Sequence, residues 1–197
     1  VNRSSNKKSR LIVPASLVLT ILLGLNCAGS NSTTFVHPEY SFQYLERVAV
    51  VPFDNLSNDK GAGARVSRIF VTELLAKQVF DVVEPGEVSR ILMEKSLVRT
   101  SELTQEQIIS VGKELGAQGI ILGTVNESAS IRSGGATSNT VTLVVRMVET
   151  ETGATVWSTT KTSSGKGFWS SLFGTGGKSL SEVTSSCVKA VLNSLID

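Results

Sequence analysis

The chain has 197 residues, with 19 Lys and Arg against 17 Asp and Glu, enough for one domain with a full core plus tails. Arg3, Lys7, Lys8 and Arg10 all precede residue 27 and no acid does, so the remainder is slightly acidic and offers no footprint for nucleic acid. Two cysteines, Cys27 and Cys187, and the lone His37 exclude a disulfide scaffold, most metal sites and every Ser-His or Cys-His nucleophile that does not use His37.

Residues 1 to 10 are polar and basic, and Leu11 to Leu25 is mostly apolar. This is the charged head and short hydrophobic stretch of a secretory signal. It is shorter than the roughly 20 residues of a membrane-spanning helix, although an uncleaved N-terminal anchor is the alternative. Gly24-Leu25-Asn26-Cys27 resembles a bacterial lipobox. The usual pattern has Leu three residues before the cysteine and a small residue directly before it, where this chain has Gly24 and Asn26. The resemblance implies removal of residues 1–26 and lipid attachment at Cys27, with acyl chains contributing roughly 0.8 kcal/mol per buried methylene. Ala28 in place of Asp resembles the signal for outer-membrane delivery. Residues 27–44, opening with Ser, Thr, Asn and Gly, read as a tether, and His37 between Val36 and Pro38 reads as a linker histidine. Tyr40, Phe42 and Tyr44 alternate, which also admits an edge strand or a segment packed on a neighbour.

The folded domain is expected over 45–197. Val48-Ala49-Val50-Val51 is apolar without interruption, the pattern of a central strand buried on both faces. It stops at Pro52 and the turn formers Asp54, Asn55 and Ser57. Val66, Ile69, Phe70 and Leu74 follow helical spacing, with Arg65, Arg68 and Lys77 toward solvent. Phe80 to Glu84 reads as a second strand. Pro85 opens a helix with Val88, Ile91, Leu92 and Leu97 on its apolar face. Thr104-Gln105-Glu106-Gln107 fits a capping box, and Ile108, Val111 and Leu115 form the inner face of the helix that follows. Gln118 to Val125 is another apolar strand, becoming polar at alternate places from Asn126 to Arg132. Ser133 to Ala136 turns into an alternating strand around Val141, Leu143, Val145 and Met147, and Ala154 to Lys161 returns. Leu180, Val183, Cys187, Val191 and Leu195 mark a C-terminal helix, with Cys187 as a buried, inert thiol.

Between these last elements, five glycines in 165–177 surround Phe168, Trp169, Leu172 and Phe173. A contiguous apolar patch in such a loop suits contact with membrane or with another subunit, or else its aromatics fold back on the core. Signals for chemistry are weak. Gly61-Ala62-Gly63 lacks the third glycine and the Lys-Ser/Thr of a phosphate loop, and Glu84, Glu87 and Glu94 fall on a charged helix face. No catalytic residue, metal site or cofactor is assigned, and an enzyme is not expected.

Val48 to Phe53, Phe80 to Glu84, Gly116 to Gly123, Ser130 to Gly135, Leu143 to Val148 and Glu151 to Ser158, in this order, resemble the curli-secretion CsgG family of outer-membrane lipoproteins. The piece from Thr152 to Ser158 is equally similar to the outer-membrane lipoproteins that activate peptidoglycan synthases. The resemblance implies an α/β (α+β) domain, one mixed sheet with helices packed on it and a C-terminal helix, held by lipid at the periplasmic face of the outer membrane. It implies a homo-oligomer acting in assembly or transport (secretion), or a non-pore binding module for an envelope protein partner. Pore-forming members carry a long loop with aromatic and Asn residues between first strand and first helix, whereas Asn55 to Arg65 is short and has no aromatic. Those members also insert two hairpins per subunit, and Asn126 to Val148 has the length for one.

Overall fold

The computed structural model describes residues 32–133, 136–165 and 177–196. The strands are β1 (Ser32–Val36), β2 (Arg47–Val50), β3 (Asp54–Asn55), β4 (Asp81–Val82), β5 (Gly119–Ser133), β6 (Ala136–Glu149) and β7 (Thr155–Ser164). The helices are α1 (Ala62–Lys77), α2 (Pro85–Glu94), α3 (Gln105–Leu115) and α4 (Leu180–Ile196). As the family resemblance implies, they build one mixed sheet with helices on it. Its order is β1-β7-β6-β5-β2-β4, with β3 also paired to β5. β2 lies parallel to β4 and β5, whereas β5, β6, β7 and β1 form an antiparallel meander.

β2 shows why its apolar run is uninterrupted. Val48 and Val50 point into a cluster with Val66, Phe70 and Leu74 of α1 and Val183, Cys187 and Val191 of α4. Ala49 and Val51 point into a second cluster with Ile91 of α2 and Ile108 and Val111 of α3. A strand buried on both faces has no place for polar alternation. The β5–β6–β7 meander is covered on both faces only where it begins, at Ile120, Leu122 and Val148 in the second cluster; beyond them Val141, Leu143, Val145 and Met147 are buried under α4, while Thr142, Val144 and Arg146 between them stay half-exposed.

Two irregularities shift the register. Asn126 is the extra residue where Val125 pairs Leu143 and Glu127 pairs Thr142, so Val125 and Ser128 point to the core and Glu127 points out. Val156 is extra where Met147 pairs Trp157 and Val148 pairs Thr155, which lets the neighbours Val156 and Trp157 enter the same cluster.

Helix ends follow local chemistry. Thr104 and Gln107 form the expected capping box. α2 stops earlier than its apolar spacing suggests: Ser96 takes φ 55°, Ser96 N–H donates to the Met93 carbonyl at 3.0 Å and Leu97 N–H to the Leu92 carbonyl at 2.8 Å. This left-handed closure folds Leu97 back onto the second cluster instead of extending the helix.

The region assigned to a tether contains a strand. β1 pairs antiparallel with β7 from Ser32–Lys161 to Val36–Trp157, and Thr34 and Thr159 share a hydroxyl hydrogen bond at 2.8 Å. Tyr40 and Phe42 meet edge to face at 5.0 Å and pack on the first cluster, within a segment that ends in a short 3-10 turn at Phe42–Tyr44.

Candidate functional site

Three features face the same end of the sheet, at different heights. The chain enters at Ser32, which stands opposite Lys161 near the end of β7. The segment 166–176 leaves from Gly165 and returns at Gly177. The turn between β5 and β6 follows Ser133. Exposed Ile131, with 58% of its surface accessible, lies just before that turn.

The two flanks of 166–176 are held side by side. Gly165 N–H donates to the Asn139 carbonyl at 2.7 Å and Lys178 N–H to the Gly165 carbonyl at 3.3 Å. A Cβ at Gly165 would sit 2.9 Å from the Lys178 carbonyl oxygen, and one at Gly177 would sit 2.9 Å from that of Thr137, so both glycines serve close backbone approach. The buried Asn139 amide locks the arrangement. Its Nδ2 donates to the Lys178 carbonyl at 2.7 Å, and its Oδ1 accepts from Ser130 Oγ. Phe168, Trp169, Leu172 and Phe173, and also Cys27, lie outside the described residues. Asn139 was not singled out in the sequence; the glycine pair flanking the loop is the one local signal that something presses there.

A second polar cluster pins the loop from β2 to α1. Asn55 Nδ2 donates to the Asp59 carbonyl at 2.7 Å, and Asn55 Oδ1 accepts from Ser57 N–H at 3.0 Å and Ser57 Oγ at 2.7 Å. Asp59 Oδ2 pairs with Arg65 and accepts from Ser128 Oγ at 2.9 Å. Arg65 therefore turns back toward β5 instead of into solvent, because Asp59 and Ser128 supply partners that helical spacing alone does not reveal. The loop presents Leu56, 69% accessible, on a rigid base.

The hydrogen bond from Arg65 holds the Asp59 carboxyl below its ordinary range. A depressed carboxylate stabilises the fold above its unfolded pKa, and that contribution is lost as pH falls through the folded value. An Asp59→Asn chain is expected to melt below wild type at neutral pH and to lose less of its remaining stability on acidification below about pH 4. Melting temperature followed against pH checks this; parallel curves for the two chains would refute it.

The remaining candidates are structural. Gly61 precedes α1, and Gly63 lies against the segment between β2 and β3, where a Cβ would come 2.6 Å from the Phe53 carbonyl oxygen; this is close packing, not a phosphate cradle. Glu87 and Glu94 both pair with Arg90 on the exposed face of α2. His37 Nδ1 accepts from Glu39 N–H at 3.3 Å. Burial pushes the Cys187 thiol up, and its sulfur lies 3.4 Å from the Lys161 carbonyl oxygen. Among the described residues, no group of three or more His, Cys, Asp or Glu side chains is placed to hold a metal, and no helix is long and apolar enough to cross a membrane.

Residues 41–197 match the family described as curli production assembly/transport component CsgG. The chain belongs to the CsgG family. The matched span includes β2 through α4, and so both polar clusters. Several solved structures are similar to this chain. The PelC dodecamer from Paraburkholderia phytofirmans overlays with a TM-score of 0.56 at 20% identity, covering 83% of this chain and 96% of that one. Lipoprotein GNA1162 from Neisseria meningitidis overlays with a TM-score of 0.57 at 18% identity, covering 77% of this chain and 98% of that one. The LpoB C-terminal domain from Salmonella enterica overlays with a TM-score of 0.47 at 17% identity, covering 59% of this chain and 81% of that one. Among curated proteins, none matches this chain by sequence.

Proposed function

We propose that this CsgG-family protein is exported, acylated on Cys27 after loss of residues 1–26, and held at the periplasmic face of the outer membrane. There it acts without enzymatic chemistry, as a homo-oligomer in assembly or transport. The observation that carries the reading is a shared direction. The entry at Ser32, the paired flanks Gly165 and Gly177, and the β5–β6 turn all face the same end of the sheet. A lipid on Cys27 and an apolar loop bearing Phe168, Trp169, Leu172 and Phe173 thus leave the fold on the same side, where they can engage membrane or a neighbouring subunit. The dodecameric state of PelC supports the oligomer.

The anchor is tested by metabolic labelling with a clickable palmitate. Wild type is expected to take up label and a Cys27→Ala chain to take up none and to leave the membrane fraction. Equal labelling of the two would end the lipoprotein reading.

A second reading, a binding module without a pore that contacts an envelope protein such as a peptidoglycan synthase, has one observation in its favour. The β5–β6 hairpin is held against the core as far as Asn139, whose amide is tied to the start of α4. The few residues per strand beyond it fall short of the roughly 9–11 that a barrel strand needs. Planar-bilayer conductance by the detergent-extracted protein separates the two readings.

A further inference from the structure

Among the described residues, Arg146 is the one cation on the face of the meander turned away from α4 that lacks an obvious partner, and it stands at the margin of the second cluster, opposite Leu122. It is half-buried, and among the described residues its guanidinium donates only to the Ser101 carbonyl, at 3.4 Å. Among the described residues no carboxylate lies within ion-pair distance of it. It opens into a cleft of about 140 Å³ with Ser101, Thr124, Val144 and Ser158. That is well below the roughly 300–1,000 Å³ of a pocket for a drug-sized ligand, and it suits a single inserted side chain. Burial draws the guanidinium below its ordinary value, so a desolvated cation is being held without the countercharge that normally accompanies one.

The sheet registers say where a countercharge can come from. Subunits anchored at the same end and arranged around an axis along the membrane normal keep every residue at the same height. A carboxylate from a neighbour must then stand level with Arg146. Arg146 is opposite Leu122, Val50 is opposite Ile121 and Val82 is opposite Val48. Glu84, two residues past Val82, therefore reaches the level of Val50, within one residue (about 3.3 Å) of Arg146. It sits on the far edge of the same sheet, just before α2. It is exposed, its side chain makes no cap hydrogen bond, and its neighbour on that edge, Asp81, is already paired with Arg47.

We propose that a second copy of this chain docks its β4–α2 edge on the part of this face that α2 and α3 leave open, inserting Glu84 into the cleft to pair with Arg146. The contact is heterologous, so each subunit offers both halves and the arrangement propagates around a ring. It rests on the oligomer reading above and specifies the pair that would set the neighbour's orientation, since matched charges fix register across an interface.

The test is a charge swap in full-length protein extracted in detergent, read by sedimentation. Arg146→Glu and Glu84→Arg, each alone, are expected to weaken assembly on the order of tenfold or more by placing like charges together, and the double variant is expected to recover most of it. Arg146→Gln and Glu84→Gln add no charge and keep the fold. They should weaken assembly by a smaller factor and, combined, should weaken it no further than either alone. Single variants that assemble as wild type does, or a double swap no better than its parents, overturn the contact while leaving the oligomer intact. A wild-type chain that sediments as a monomer overturns both.

Discussion

Trp157→Ala is expected to melt on the order of 10 °C below wild type. Among the described residues Trp157 is the largest of the fully buried side chains, with no accessible surface, and it faces the first cluster from directly opposite Met147, with Val156 added beside it by the irregularity in the β6–β7 pairing. Truncating a buried Trp or Phe to Ala costs about 3–5 kcal/mol. For a chain of this size each kcal/mol moves the midpoint by about 2–4 °C. The indole also has a polar duty, because Nε1–H donates to the Ser194 carbonyl at 2.9 Å. That carbonyl is among the last four of α4, which have no partner within the helix. Trp157→Phe should therefore lie between wild type and Trp157→Ala, keeping most of the packing and losing the hydrogen bond. A Trp157→Ala chain melting within about 3 °C of wild type would show that the cluster collapses around the gap.

Gly63→Ala is expected to destabilise the protein by about 2–3 kcal/mol, against the sign that helix propensity gives. Gly63 lies in the first turn of α1, where Ala is still the better helix former, by at most about 1 kcal/mol. Its new Cβ would lie 2.6 Å from the Phe53 carbonyl oxygen, a main-chain atom that cannot rotate away, and overpacking of this kind costs about 1–3 kcal/mol or more. Moving α1 outward also strains a two-bond clasp: Phe53 N–H donates to Ser67 Oγ at 2.8 Å, and Ser67 Oγ donates to the Gly63 carbonyl at 2.9 Å. Each bond is worth about 0.5–1.5 kcal/mol. Denaturant unfolding of the two chains decides it, and a midpoint for Gly63→Ala at or above wild type would mean that the helix withdraws at little cost.

The parts of the fold legible from sequence are those in which one local pattern answers to one environment. Val48 to Val51 had to be buried on both sides, Thr104 and Gln107 carry their cap between them, and the alternation from Val141 to Met147 records a sheet with one covered face. β1 was not legible, because Ser32, Thr33 and Thr34 look like linker until β7 supplies Thr159 and the ladder more than a hundred residues later. Asp54 and Asn55 are turn formers that nevertheless pair with Thr124 and Val125. Arg65 reads as solvent-facing on any helical wheel, and only the distant Ser128 and the preceding loop reclaim it. At the site, composition pointed to the glycine-flanked loop. The clamp at Asn139 and the isolation of Arg146 depend on which strands become neighbours, which single-sequence periodicity does not encode.

β1 sets the length of the leash that the proposed lipid on Cys27 would have. Ser32 is level with Lys161, and so with Leu143 and Val125; from there the hairpin turn at Ala136 lies seven residues farther along β6, about 23 Å at ~3.3 Å per residue. Between Cys27 and Ser32 there are five residue steps, which span at most about 18 Å when fully stretched. With the strands upright, an acyl chain on Cys27 would draw the body down until the tip of the hairpin overshot the anchoring sulfur by about 5 Å, so the turn beyond Ile131 would have to wet itself in headgroups instead of hovering in the aqueous space beneath them.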